Sequence, residues 1–233
     1  MEIKSKKSEF NHFSKLATEW WNKNGIFKTL HDIQPIRIKY IQDTLNKKKL
    51  NKLKILDVGC GGGLVSEGIA KLGADVTGID FIEENIRVAK KHAKQSKLEI
   101  NYIVKDFEKE RLTSKYDVII IFEVLEHLEN WKSFLEKIQK NLKPKGVLIA
   151  STINRNLISK FLTIDLAENL LKWIPLNTHN YYKFIKPEEL KDNLTANNFK
   201  KIKFSGLSFN IFKQKWEMNN NKKVNYFCSS FLN

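Results

Sequence analysis

The chain is short of the residues that staple small folds. It carries two cysteines, Cys60 and Cys228, in 233 residues. That excludes a disulfide scaffold, and with no CxxC pair or Cys/His cluster it argues against structural zinc. Four prolines and ten glycines are too few for a collagenous or low-complexity chain. No apolar run reaches the roughly 18 residues of a membrane span. Met1 to Phe10 lack the apolar core of a secretory signal. The expectation is a soluble protein of a reducing compartment. Arginine is also scarce: of 41 basic residues only Arg37, Arg87, Arg111 and Arg155 are arginine.

What is present is lysine, giving a formal net charge of +15. Base readout and planar phosphate forks favour arginine, so a basic chain built from lysine is not expected to bind nucleic acid. Compositional bias toward Lys, Asn and Ile accounts for much of the excess. An anionic membrane surface or an acidic partner is the alternative.

Strand and helix signals alternate from residue 53 to 152. Lys54–Val58, Asp75–Ile79, Leu98–Val104, Tyr116–Phe122 and Val147–Thr152 read as strands. Val65–Leu72, Glu83–Gln95 and Trp131–Leu142 read as helices, the last closed by Lys143-Pro144-Lys145-Gly146. Val118-Ile-Ile-Ile121 is apolar throughout, as strands buried on both faces require. The alternation predicts a doubly wound α/β, Rossmann-like sheet with helices on both faces, in a single domain. Residues 1–50 read as an N-terminal helical lid, 154–186 as a helical insertion after strand five, and 187–233 as a helix followed by strands. Glu188–Asn197 is that helix, and Lys201–Leu207 and Tyr226–Phe231 are strand candidates, with room for an antiparallel hairpin at the sheet edge.

Asp57-Val-Gly-Cys-Gly-Gly-Gly63 lies where the first strand meets the first helix. Gly59, Gly61 and Gly63 permit a tight turn and a close ligand approach to the backbone, near a positive helix end. Asp80 follows Gly59 by 21 residues, at the end of the second strand. An acid there is placed to accept ribose hydroxyls. Loop, helix and terminal acid together point to a ribose-bearing ligand, and a sheet that ends after five parallel strands argues against a dinucleotide.

A second constellation, Glu123-Val-Leu-Glu126-His127, follows the fourth strand. If it opens a helix, Glu123, Glu126 and His127 share one face. Two carboxylates and an imidazole suit a hard divalent ion; equally, His127 suits a metal-free general base. Either device can draw the proton from a weakly acidic hydroxyl, such as a phenol whose pKa of about 10 makes it a poor nucleophile until its proton leaves.

Asp57, Val58, Gly59, Gly61 and Gly63 resemble the first motif of class I S-adenosylmethionine-dependent methyltransferases. Phe13-Ser-Lys-Leu-Ala17, Trp20-Trp21, Phe27-Lys-Thr-Leu-His-Asp-Ile33 and Pro35-Ile-Arg37 resemble the ubiquinone-biosynthesis O-methyltransferases. So do Ser151-Thr-Ile-Asn-Arg-Asn156, Thr178-His179 and Lys183-Phe-Ile-Lys-Pro-Glu-Glu-Leu190. The resemblance implies methylation of ring hydroxyls of polyprenylated phenols at two steps toward ubiquinol. It implies that Arg37, Gly59, Gly61, Asp80 and Phe122 contact the donor, S-adenosyl-L-methionine, although methionine is frequent in the family at the position of Phe122. It implies a Mg²⁺ site at Glu123, Glu126 and His127, since some members hold a divalent ion there and others are not described as metal-dependent. Residues 53–152 are then the donor-binding core.

From Ile164 to Ile174 an ideal helix gathers Asp165, Glu168, Asn169 and Lys172 into a narrow polar stripe, leaving a wide apolar surface with Trp173. Packing on its own domain is one reading. The other is a segment dipping into the bilayer to reach a polyprenyl tail, helped by seven lysines against Glu217 between Asn198 and Lys223. The expected location is the cytoplasm, peripherally at the inner membrane, with a place in a ubiquinone-biosynthesis assembly. The role of His179 stays open. Two rivals remain: a methyltransferase of the same fold acting on another small phenol or a ring carbon, and a basic RNA- or membrane-binding protein with a vestigial site.

Overall fold

A computed structural model describes Ser14 and residues 16–161 and 180–233. The chain divides into two compact units between Glu110 and Arg111.

In the first unit, helix α1 (Lys28–Leu45) precedes strand β1 (Lys54–Val58), helix α2 (Leu64–Ala70), strand β2 (Asp75–Asp80), helix α3 (Glu83–Gln95) and strand β3 (Asn101–Val104). The strands lie in the order β3-β2-β1, with both pairs parallel. Parallel neighbours need a crossover, and α2 and α3 supply the two. Helix α3 opens with Glu83 and Glu84 and closes with His92 and Lys94, matching its dipole. Its inner face joins Ile86, Ala89 and Ala93 to Cys60 and Tyr102 in one buried cluster, edged by Leu98 and Ile100. The third strand begins three residues later than its sequence predicts. Leu98 first donates its N–H back to Ala93, 2.9 Å away, so residues 96–100 close α3 before extending. Helix α1 lies close on α2: a Cβ at Gly68 would stand 2.6 Å from Ile38 Cδ1.

In the second unit, strand β4 (Tyr116–Phe122) leads through helix α4 (Trp131–Lys140) to strand β5 (Leu142–Ile153). A short helical turn at Leu157–Lys160, helix α5 (Pro187–Ala196) and strands β6 (Phe199–Asn210), β7 (Lys215–Asn219) and β8 (Asn225–Leu232) follow. The strand order is β4-β5-β8-β6-β7, parallel between β4 and β5 and antiparallel thereafter. The predicted closing turn at Lys143–Gly146 is a bulge inside β5. Tyr116 pairs Leu142 while Val118 pairs Val147, and Lys143 bonds both oxygens of Asp117 at 2.9 Å. Strand β7 was not expected, because Lys215-Trp-Glu-Met-Asn219 is short and polar and bonds to β6 alone among the described strands. The insertion helix at 164–174 and His179 lie outside the described residues. Among the described residues, no helix is long and apolar enough to cross a membrane.

Candidate active site

The glycine loop and its acid assemble in the first unit as their spacing predicts. Asp80 ends β2 and is buried. Its Oδ2 accepts the Gly61 N–H at 2.9 Å, and its Oδ1 accepts the Ile82 N–H at 2.9 Å and Asn85 Nδ2 at 3.4 Å. One carboxylate thus ties the loop after β1 to the start of α3. Burial raises its pKa, and these donors oppose the rise. Gly59 and Gly61 both adopt positive φ, 68° and 53°, which an L side chain accepts only with strain.

Asp57, at the buried end of β1, accepts a 2.6 Å hydrogen bond from Ser66 Oγ on α2. Burial pushes its carboxyl up from 3.8 to about 6, opposed by that bond and by the positive charge of Arg37. Arg37 itself sits buried on α1. The predicted donor contacts Arg37, Gly59, Gly61 and Asp80 therefore belong to one neighbourhood of the first unit.

The two tryptophans sit on that loop. A Cβ on Gly61 or Gly62 would meet the Trp20 ring at 2.3 Å, so the indole lies directly against the loop backbone. Trp20 Nε1 donates to Asn85 Oδ1 at 2.8 Å, and its ring stacks on Phe27 with centroids 4.2 Å apart. Trp21 donates to the Gly62 carbonyl at 2.9 Å and stacks on His92. His92 Nδ1 in turn meets the buried Glu67 carboxylate at 2.6 Å. Sequence reasoning missed Asn85, which serves Asp80 and Trp20 together. Its only signal was its place in the first turns of the helix after the acid.

The second constellation belongs to the second unit and differs from the expectation in one respect. No α-helix opens at Glu123. That residue is left-handed, with φ of 55°, and Leu125–His127 form a single 3-10 turn. The one-face argument from α-helical spacing therefore does not apply. Instead the strand end organises the carboxylates: Ser151 Oγ donates to Glu123 Oε1 at 2.5 Å, and Thr152 Oγ1 donates to Glu126 Oε2 at 2.7 Å. Both hydroxyls come from β5, and neither was singled out in the sequence for its own chemistry. Lys183 Nζ donates to the His127 carbonyl at 3.0 Å. Glu126 is buried, and its Oε1 has no hydrogen-bond partner. Burial raises its pKa, the neighbouring Glu123 raises it further, and His127 lowers it. A divalent cation would relieve both the bare oxygen and the carboxylate repulsion, so Glu123 and Glu126 fit one chemically. Among the described residues no three His, Cys, Asp or Glu side chains stand together in ligating geometry. Phe122 ends β4, buried edge-on against Phe227 with centroids 5.7 Å apart.

A family model described as a methyltransferase domain matches residues 49–223. The chain is 43% identical over 235 residues to the ubiquinone biosynthesis O-methyltransferase of Pelagibacter ubique (strain HTCC1062), covering 97% of this chain and 98% of that one. It is 42% identical over 223 residues to the protein of the same name from Rickettsia canadensis (strain McKiel), covering 95% and 94%. Among solved structures, magnesium protoporphyrin IX methyltransferase from Synechocystis PCC 6803 with bound SAM matches with a TM-score of 0.63 at 18% identity, over 90% of this chain and 85% of that one. The plantazolicin methyltransferase BpumL in complex with SAH matches with a TM-score of 0.64 at 21% identity, over 100% and 99%. These neighbours establish the class I methyltransferase fold. With a glycine loop closed by Asp80 and relatives alike over almost their whole length, the chain is a methyltransferase and belongs to the ubiquinone biosynthesis O-methyltransferase family.

Proposed function

We propose that the chain transfers a methyl group from S-adenosylmethionine to a ring hydroxyl of a polyprenylated phenol on the route to ubiquinone. The observation that carries this reading is the buried Asp80 carboxylate fastened to the Gly61 N–H at the mouth of the glycine loop. An acid so held accepts ribose hydroxyls without reorganising. Arg37 suits the donor carboxylate through a bidentate fork, Gly59 offers close backbone approach, and Phe122 supplies an apolar wall. When bound, the donor supplies an electrophilic methyl group on a sulfonium.

On the acceptor side, His127 takes the phenolic proton as a general base. Glu123 and Glu126 are the carboxylates that would hold Mg²⁺, which would lower the phenol pKa. The bare Glu126 Oε1 supports that assignment. Leu157, Ile158, Phe161 and Tyr182 are exposed on either side of residues 162–179. That apolar margin supports a peripheral membrane contact, where a long isoprenoid tail is delivered.

The test is calorimetric titration of S-adenosylhomocysteine, followed by methyl transfer to a short-tailed catechol with Mg²⁺ and with chelator. Binding with transfer abolished in His127→Ala supports the reading. Transfer retained by that variant under both conditions removes His127 as base and ligand. No binding to folded protein overturns the donor assignment.

A further inference from the structure

Asn85 is the third residue of α3, and only 2% of it is exposed. Asparagine is a weak helix former because its amide competes for nearby backbone groups. Here the amide is engaged by two side chains instead. Its Nδ2 donates to Asp80 Oδ1 at 3.4 Å, and its Oδ1 accepts Trp20 Nε1 at 2.8 Å. An indole N–H only donates and a carboxylate accepts. The amide is therefore fixed with its nitrogen toward Asp80 and its oxygen toward Trp20.

The Asp80 carboxylate is nearly full. An ionised carboxylate offers about four lone-pair sites, two on each oxygen. Among the described residues Oδ2 takes one N–H, that of Gly61 at 2.9 Å, while Oδ1 takes both the Ile82 N–H at 2.9 Å and Asn85 at 3.4 Å. Two neighbouring ribose hydroxyls engage one carboxylate oxygen each. Oδ2 has room for its hydroxyl; Oδ1 has none until one N–H yields. The Ile82 N–H is backbone at the start of α3 and sits at an ordinary distance. The Asn85 bond exceeds the usual range of about 2.7–3.2 Å and belongs to a side chain, so it is the one to give way. A buried amide that loses its acceptor requires another, and a hydroxyl that donates to Oδ1 also accepts.

We propose that Asn85 is a further residue binding the methyl donor: its Nδ2 cedes Asp80 Oδ1 to one ribose hydroxyl and donates to that hydroxyl's oxygen instead, while Trp20 Nε1 holds the amide in place. This rests on the reading that Asp80 binds the ribose, and it gives one of the two hydroxyls a second recognition partner. Trp20, acting through Asn85, is a positioning residue.

The experiment titrates the full chain calorimetrically with S-adenosylhomocysteine and with its 2′-deoxy and 3′-deoxy analogues. Asn85→Leu keeps the side-chain volume and removes the amide. Asn85→Ser, one bond shorter than the amide, replaces it where the leucine variant does not fold by circular dichroism. The variant should bind S-adenosylhomocysteine about tenfold more weakly than the parent, the worth of one hydrogen bond to a buried group. It should bind one of the two deoxy analogues as tightly as the parent does, because the hydroxyl that Asn85 serves is already gone. Trp20→Phe should weaken S-adenosylhomocysteine by about threefold, with the same dependence on that hydroxyl. Weakening of the Asn85 variant by one factor for all three ligands makes Asn85 a prop of the fold and overturns the inference. Unchanged binding of S-adenosylhomocysteine overturns it as well. In both cases a parent that prefers S-adenosylhomocysteine to its analogues leaves the Asp80 reading standing. A parent that binds all three ligands alike overturns the ribose role of Asp80 itself, and the inference with it.

Discussion

Replacing Asp57 by Asn tests whether the first strand carries a buried carboxylate that opposes folding. In the folded chain its pKa stands at about 6, against an ordinary value of 3.8, because burial outweighs the Ser66 hydrogen bond and Arg37. The folded state therefore holds this proton more tightly than the unfolded chain. Between pH 4 and 7 the unfolded state binds fewer protons, so stability falls as pH rises through that window. At about 1.36 kcal/mol for each tenfold in the proton equilibrium, the full cost is about 3 kcal/mol at neutral pH. Asn mimics the protonated acid and still accepts the Ser66 bond, so variant and parent should be nearly equal at pH 4. By pH 7.5 Asp57→Asn should be the more stable by about 2–3 kcal/mol. With a urea dependence of about 3 kcal/mol per molar for a chain this size, its denaturation midpoint should lie nearly 1 M higher. Urea titrations followed by circular dichroism at pH 4, 5, 6 and 7.5 supply the curve. A stability difference that stays flat across those pH values would refute the argument.

Gly62→Ala drives a Cβ into the Trp20 ring; it should cost about 1–3 kcal/mol as an overpacked contact and red-shift tryptophan emission as the indole leaves Asn85. Thr152→Val removes the donor to buried Glu126, so a loss of about 1.5–3 kcal/mol is expected. Because that bond favours the charged carboxylate, the loss should be larger at pH 9 than at pH 5, as denaturation at the two pH values will report. Tyr226→Phe removes the 2.9 Å hydrogen bond from the buried hydroxyl to the Ile185 carbonyl. About 1 kcal/mol is expected, read by calorimetry as a melting temperature about 2–4 °C lower.

Much of the fold was readable because its signals are long-range in composition but local in pattern. Val118–Ile121 can only be a strand buried on both faces, and α3 shows its apolar stripe and dipole charges without help. Gly59, Gly61 and Asp80 were legible because a tight turn at positive φ, tied back by a buried acid, demands those residue types at that spacing. Three features were not. The bulge in β5 arises from Lys143 reaching Asp117, a contact set by neighbouring strands rather than by local propensity. Glu123 left the helical path because Ser151 and the strand end claim its carboxylate and N–H. Trp20 and Trp21 read equally well as core residues. Only the folded loop shows that glycines without side chains leave the space an indole fills.

Strand β8 follows β6 and β7 in the chain yet lies between β5 and β6, pairing Val147 with Phe231 and Phe199 with Leu232. The edge of β5 thus waits for a partner that emerges from the ribosome roughly 80 residues later, which at about 5–20 residues per second is several seconds. During that interval Val147 to Ile153, buried in the finished protein, present an open strand edge to the cell. Premature termination anywhere before Asn225 would leave that edge permanently unfilled. Synthesis rate and chaperone supply, rather than the stability of the finished fold, then set how much of the second unit matures.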